Sequence, residues 1–136
     1  MGASYHGAKD GNAYTIGISP KFFDEPGILV KDSDEFIFTD TMRERKKLLI
    51  EKSEATIVLP GGIGTYEEFF ELLVLKSLGQ DNRPIVIYNV NNYYDKMKEF
   101  LEHTVEEKFM SQENLDLCVF LDDPDEIIDY IKNYNY

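Results

Sequence analysis

With 136 residues the chain has room for one ordinary core, so a single domain over 1–136 is expected. Its 43% hydrophobic and 13% aromatic content excludes a disordered tail, and a net charge of −12 disfavours nucleic-acid polymers and anionic membranes as partners. A small anionic ligand remains compatible with that charge, because a few converging donors can hold one phosphate inside a negative field.

Short β-rich runs occupy 14–18, 36–39, 56–59, 85–88 and 118–121. Several are continuously apolar, as befits parallel strands covered on both faces. Helical patterns alternate with them. The stretch 41–52 carries Met42, Leu48 and Leu49 among charges, with Asp40 or Thr41 as its cap. The stretch 66–78 has an apolar arc wider than one sheet-facing stripe needs, which suggests a second buried face. Residues 93–109 are amphipathic, and 124–133 opens with Asp122-Asp123-Pro124, a cap followed by proline in the first turn. Strand–helix alternation predicts an α/β, Rossmann-like, doubly wound and mainly parallel sheet, with ligands outside the carboxyl ends of its strands. Residues 79–84 and 89–92 read as connecting loops.

Between the third strand and the wide helix lies Pro60-Gly61-Gly62-Ile63-Gly64-Thr65. Glycines let a backbone turn sharply and approach a ligand, and the helix start beyond them offers unpaired N–H groups at a positive dipole end. No Gly-Lys-Ser/Thr closes the loop and the G-x-G-x-x-G spacing is absent, so Walker A and dinucleotide readings are disfavoured. Glu68 follows Thr65 by three residues. It reads either as a capping-box partner of Thr65 or as a carboxylate facing a ligand, and periodicity does not choose between Glu68 and its neighbours Glu67 and Glu71. In the preceding helix, Arg43, Arg45 and Lys46 lie near the start, where cations oppose the dipole. That is a local cost which favours a functional use, although a solvated face is the commoner fate of such a run.

Taken together, Met42-x-x-Arg45-Lys46 and Pro60-Gly61-Gly62-x-Gly64-Thr65-x-x-Glu68 resemble the paired signature of the LOG family, the cytokinin riboside 5′-monophosphate phosphoribohydrolases. Leu78-Gly79, Arg83-Pro84, Asn89-Val90-Asn91-Asn92-Tyr93-Tyr94-Asp95 and Asp123-Pro124 extend the likeness over essentially the whole chain. Such proteins are often labelled lysine decarboxylases, but no lysine and acidic partner here stand out as a pyridoxal phosphate site. The resemblance implies hydrolysis of the N-glycosidic bond of an adenine-type nucleoside 5′-monophosphate, to free base and ribose 5-monophosphate. It implies that Gly61, Gly62, Ile63, Gly64 and Thr65 hold the phosphate, that Arg45 and Glu68 are the catalytic pair, and that Met42 and Lys46 line the pocket. Glu67 joins the substrate-binding set. No metal and no cofactor are expected, and a homodimer is. The alternative is a non-catalytic nucleotide sensor or carrier.

The family usually opens with a strand, a helix and a second strand ending in another glycine-rich loop. This chain starts at the Met1-Gly2-Ala3 segment beyond them, so Met1 is expected to be an internal methionine and the chain to be N-terminally truncated relative to the family. Val74-Leu75 stands where Thr-Trp is frequent and Asn92 where glycine is, which loosens base specificity. Cys118, the lone cysteine, reads as a buried apolar residue, and His6 and His103 receive no catalytic role. A cytoplasmic setting is expected.

Overall fold

The computed structural model describes residues 2–24 and 32–135. Met1, read above as an internal methionine, lies outside them. Contacts divide the chain into two compact units, Met1–Ser53 and Glu54–Tyr136.

The first unit contains α1 (Gly2–Asp10), β1 (Ile16–Pro20), a short 3-10 turn (Lys21–Phe23), β2 (Glu35–Thr39) and α2 (Met42–Glu51). β1 and β2 pair in parallel, Ile16 opposite Glu35 through Pro20 opposite Thr39. Pro20 suits the end of a strand, where its missing N–H costs no ladder bond. α1 escapes the sequence reading, because glycines at 2 and 7 and the lack of acidic residues in its first turn remove the usual start signals. α2 packs on both strands. Its cap is Thr41, whose hydroxyl accepts from the Glu44 amide at 3.1 Å while the Glu44 carboxylate accepts from the Asp40 amide at 2.9 Å. Asp40 itself does not cap.

A polar clasp closes the other end of this unit. The Asp34 carboxylate accepts from Lys9 Nζ at 2.9 Å, from the Thr15 amide at 2.8 Å and from the Thr15 hydroxyl at 2.7 Å. Those donors, Lys9 first, hold its carboxyl well below the usual carboxylate range.

The second unit contains β3 (Thr56–Val58), α3 (Ile63–Ser77), β4 (Ile85–Tyr88), α4 (Asp95–Glu106), α5 (Gln112–Leu115), β5 (Val119–Leu121) and α6 (Pro124–Lys132). Its strands are parallel in the order β3-β4-β5. The central strand explains the continuous apolar runs: Ile85, Val86 and Ile87 are all 0% exposed. Phe69, Leu72 and Leu73 of α3, Leu101 of α4 and Ile127 of α6 complete the core. Their spacing on α3, with Lys76 added, is one helical stripe. Phe70, Val74 and Leu78 lie on the opposite face and are exposed, so the second apolar face expected of this helix is not buried within the chain.

Terminations follow local chemistry. Gly79 takes a left-handed φ of 68° after α3, and the Gln80 and Gly79 amides return to the Leu75 and Lys76 carbonyls at 2.9 and 3.0 Å, a Schellman closure. α6 starts as expected, with the Asp123 carboxylate accepting from the Asp125 and Glu126 amides beside Pro124. α4 is shorter than the 93–109 pattern at both ends: Tyr93 closes the short 3-10 turn Val90–Asn92 ahead of it, and Lys108 takes a left-handed φ of 64° just past Glu106. The fold is α/β with parallel strands throughout, of the Rossmann-like class. Among the described residues no helix is long and apolar enough to cross a membrane.

Candidate functional site

Beyond β3 the chain turns through Leu59, Pro60 and Gly61, and Gly62 becomes the cap of α3 with φ −104° and ψ −152°. The first ladder bond of the helix runs from the Tyr66 amide to the Gly62 carbonyl at 3.1 Å. The amides of Ile63, Gly64 and Thr65 therefore precede the ladder, and glycine as cap supplies no side chain to take one. Gly62, Ile63 and Gly64 are exposed, Ile63 at 87%. Among the described residues nothing claims these N–H groups, and such a row at a positive dipole end is the physical form of an anion receptor.

This start lies three residues earlier than the pattern at 66–78 indicates, because Ile63-Gly64 carries no polar cap to announce it. Thr65 is consequently inside the first turn, and the capping box with Glu68 does not form. Thr65 instead packs on the loop: a Cβ on Gly61 would sit 2.9 Å from Thr65 Cβ, so only glycine fits there. Glu68, three residues on, shares the half-buried flank of α3 with Thr65, whereas Glu67 lies on the exposed side.

Three tyrosines brace this turn. The Tyr94 phenol, 1% exposed, donates to the Leu59 carbonyl at 2.7 Å, and the Gly61 backbone hydrogen-bonds the same phenol. The Tyr93 phenol donates to the Gly61 carbonyl at 2.7 Å. Tyr66 hydrogen-bonds Tyr93, which raises the Tyr66 phenol above its ordinary pKa. The rings meet edge to face, Tyr93 with Tyr94 at 4.9 Å and Tyr66 with Tyr94 at 6.3 Å. Asn89 places the pair, its side-chain oxygen accepting from the Tyr94 amide at 2.6 Å and its amide donating to Asp95 at 2.7 Å. Reading 93–109 as one amphipathic helix hid these braces. The signal was the Asn-rich run that forces a turn immediately before two tyrosines.

The other half of the signature belongs to the first unit. Met42 is the first residue of α2, and Arg45 and Lys46 follow one turn later on the same side. Both cations are half-buried, and Arg45 Nε donates to the Ile18 carbonyl of β1 at 3.2 Å. Thus Gly61, Gly62, Ile63, Gly64, Thr65, Glu67 and Glu68 gather at the head of α3 in one unit, and Met42, Arg45 and Lys46 at the head of α2 in the other.

Elsewhere the chemistry is structural. Cys118 is buried, which pushes its thiol up to about 11 and leaves little thiolate at neutral pH. Lys76 is buried, and its ammonium donates to the Arg83 carbonyl at 2.7 Å and the Tyr134 hydroxyl at 2.8 Å. Among the described residues no group of three or more His, Cys, Asp or Glu is arranged to hold a metal ion.

A family model described as "possible lysine decarboxylase" matches residues 1–131. The chain is 32% identical over 134 residues to the probable cytokinin riboside 5′-monophosphate phosphoribohydrolase LOGL3 of Oryza sativa subsp. japonica, covering 98% of this chain and 64% of that protein. It is 34% identical over 122 residues to the cytokinin riboside 5′-monophosphate phosphoribohydrolase of Mycobacterium tuberculosis, covering 90% and 65%. To the protein of the same name from Rhodococcoides fascians it is 37% identical over 112 residues, covering 82% and 57%. The chain thus spans less than two thirds of the length of these relatives. The family match takes in both units, and the chain belongs to the LOG family, whose model carries the lysine decarboxylase description.

Proposed function

We propose that the chain, as one Rossmann-like domain, hydrolyses the N-glycosidic bond of an adenine-type nucleoside 5′-monophosphate, a cytokinin riboside monophosphate or AMP. The observation that carries this reading is the head of α3, where exposed amides of Ile63 and Gly64 stand one turn above Glu68 in a chain of this family. Gly61, Gly62, Ile63, Gly64 and Thr65 form the 5′-phosphate loop, in which the amides of Gly62, Ile63, Gly64 and Thr65 bind the phosphate and Gly61 shapes the turn beneath it. Departure of the base builds positive charge on the ribose, as in other glycoside cleavages, and the Glu68 carboxylate stabilises that charge and orients the attacking water. Water supplies the hydroxyl of ribose 5-monophosphate, and its proton leaves with the base. The Arg45 guanidinium positions phosphate or leaving base electrostatically and does not act as the proton donor. Met42, Lys46 and Glu67 contribute to the substrate pocket. Hydrolysis of this kind calls for no redox or group-carrying cofactor.

Phe70, Val74 and Leu78, exposed at 36%, 54% and 64% along one face of α3, support a homodimer. A single unpaired cysteine in an acidic chain supports a cytoplasmic setting.

Incubation of the purified protein with AMP and with isopentenyladenosine monophosphate is expected to release free base. Glu68→Gln is expected to keep nucleotide binding and lose roughly 100-fold or more in release, the scale of a positioned acid–base group. Wild type that binds nucleotide and releases no more base than Glu68→Gln would make the protein a sensor or carrier. Failure to bind any nucleotide overturns both readings.

A further inference from the structure

The peptide between Gly61 and Gly62 is trans, so its C=O and N–H point to opposite sides. Whatever holds the Gly61 carbonyl therefore also aims the Gly62 amide. Neither flanking residue has a Cβ to oppose positive φ, and a Gly-Gly peptide is the easiest kind to turn over. Turned over, it would present a carbonyl oxygen to an anion where an N–H had been. The Tyr93 phenol, 2.7 Å from the Gly61 carbonyl, is the hydrogen bond that fixes this choice. Its own ring is fixed by the edge-to-face contact with buried Tyr94, and Tyr94 pins the preceding Leu59 carbonyl.

We infer that Tyr93 is a positioning residue for the phosphate: by keeping the Gly61 carbonyl on its own side, it commits the Gly62 N–H to the 5′-phosphate of the nucleotide. This rests on the nucleotide reading above. Tyr93 acts through the backbone and touches no reacting atom. Tyr66, hydrogen-bonded to Tyr93, polarises the same phenol and supports it at one remove.

Tyr93→Phe keeps the ring and its packing and removes only the donor. With AMP as substrate and ribose 5-phosphate as a competing ligand, its affinity for both is expected to fall about tenfold, within the scale of one hydrogen bond. The KM for AMP rises accordingly, while kcat stays within about twofold because the bond acts equally on bound substrate and transition state. Inhibition by adenosine, which lacks the phosphate, is unchanged. Tyr66→Phe, which leaves the bond to Gly61 in place, shows a smaller shift of the same kind. A merely structural role would lower kcat or weaken adenosine along with AMP, and either result overturns the inference. So does a Tyr93→Phe variant that binds AMP as tightly as wild type, and in that case the nucleotide reading stands. Wild type that binds neither AMP nor ribose 5-phosphate overturns the nucleotide reading and this inference with it.

Discussion

Every buried apolar side chain from Val58 to Ile127 lies in the second unit, and the first contributes only Pro20 to the fully buried set of the described residues. The first unit relies on polar closure instead. Lys9 and Thr15 hold Asp34, Lys21 pairs with Asp40 at 2.6 Å, Tyr5 donates to the Asp32 carbonyl and Arg45 reaches the Ile18 carbonyl. These interactions are largely exposed, and exposed ion pairs are individually weak and screened by salt. Apolar burial responds to neither salt nor charge state in that way. The contrast teaches that the two halves of the motif rest on scaffolds of different kind: the glycine loop on a dry core, and Arg45 and Lys46 on a wet one.

The sharpest way to break that contrast is to damage both scaffolds and compare. Ile87→Ala, in the middle of β4 at 0% exposure, is expected to cost about 2–5 kcal/mol in urea unfolding. A cost below about 1 kcal/mol would mean that β4 is not the keystone of its unit. Next in size, Thr41→Ala removes the cap of α2 and is expected to cost about 1 kcal/mol, read as faster hydrogen exchange of α2 amides with those of α3 unchanged. Smallest is the acid response of the clasp. Asp34 has a folded pKa below that of the unfolded chain, so its stabilisation is complete above the ordinary aspartate range and is lost as pH falls through and below about 4. Exchange protection of α1 and β1 should therefore decline on acidification before that of β4, and the decline should be shallower in Asp34→Asn. Equal declines in the two proteins would remove Asp34 as the cause.

Much of the second unit was legible because its signals are local. The run at 85–88 coincides with β4, since a continuous apolar stretch between turn residues has few other uses, and Asp123-Pro124 announced α6 as caps do. The head of α3 was less legible. A helix capped by glycine gives no side-chain signal, so in the sequence its first turn looks like loop and Thr65 like a cap. The Tyr93 and Tyr94 braces depend on backbone carbonyls thirty-odd residues earlier, Gly61 and Leu59, and long-range pairing of that kind leaves no period in the sequence. α1 was missed for the reverse reason: its sequence is only weakly helical, and the clasp from Lys9 to Asp34 ties down its last turn. The expectation that Arg45 and Glu68 act as a pair comes from the family signature alone, since neither charge nor periodicity links them.

The three glycines of the loop are not equivalent. A methyl group on Gly61 would collide with Thr65, so that glycine is demanded by the fold whatever the protein binds. A methyl group on Gly62 or Gly64 would meet no protein atom within 4 Å, and neither residue has a left-handed φ. Among the described residues no contact calls for glycine at those two positions. One short motif therefore joins a glycine that the fold demands to two that it leaves open, and under the nucleotide proposal those two are where a phosphate would rest against bare backbone.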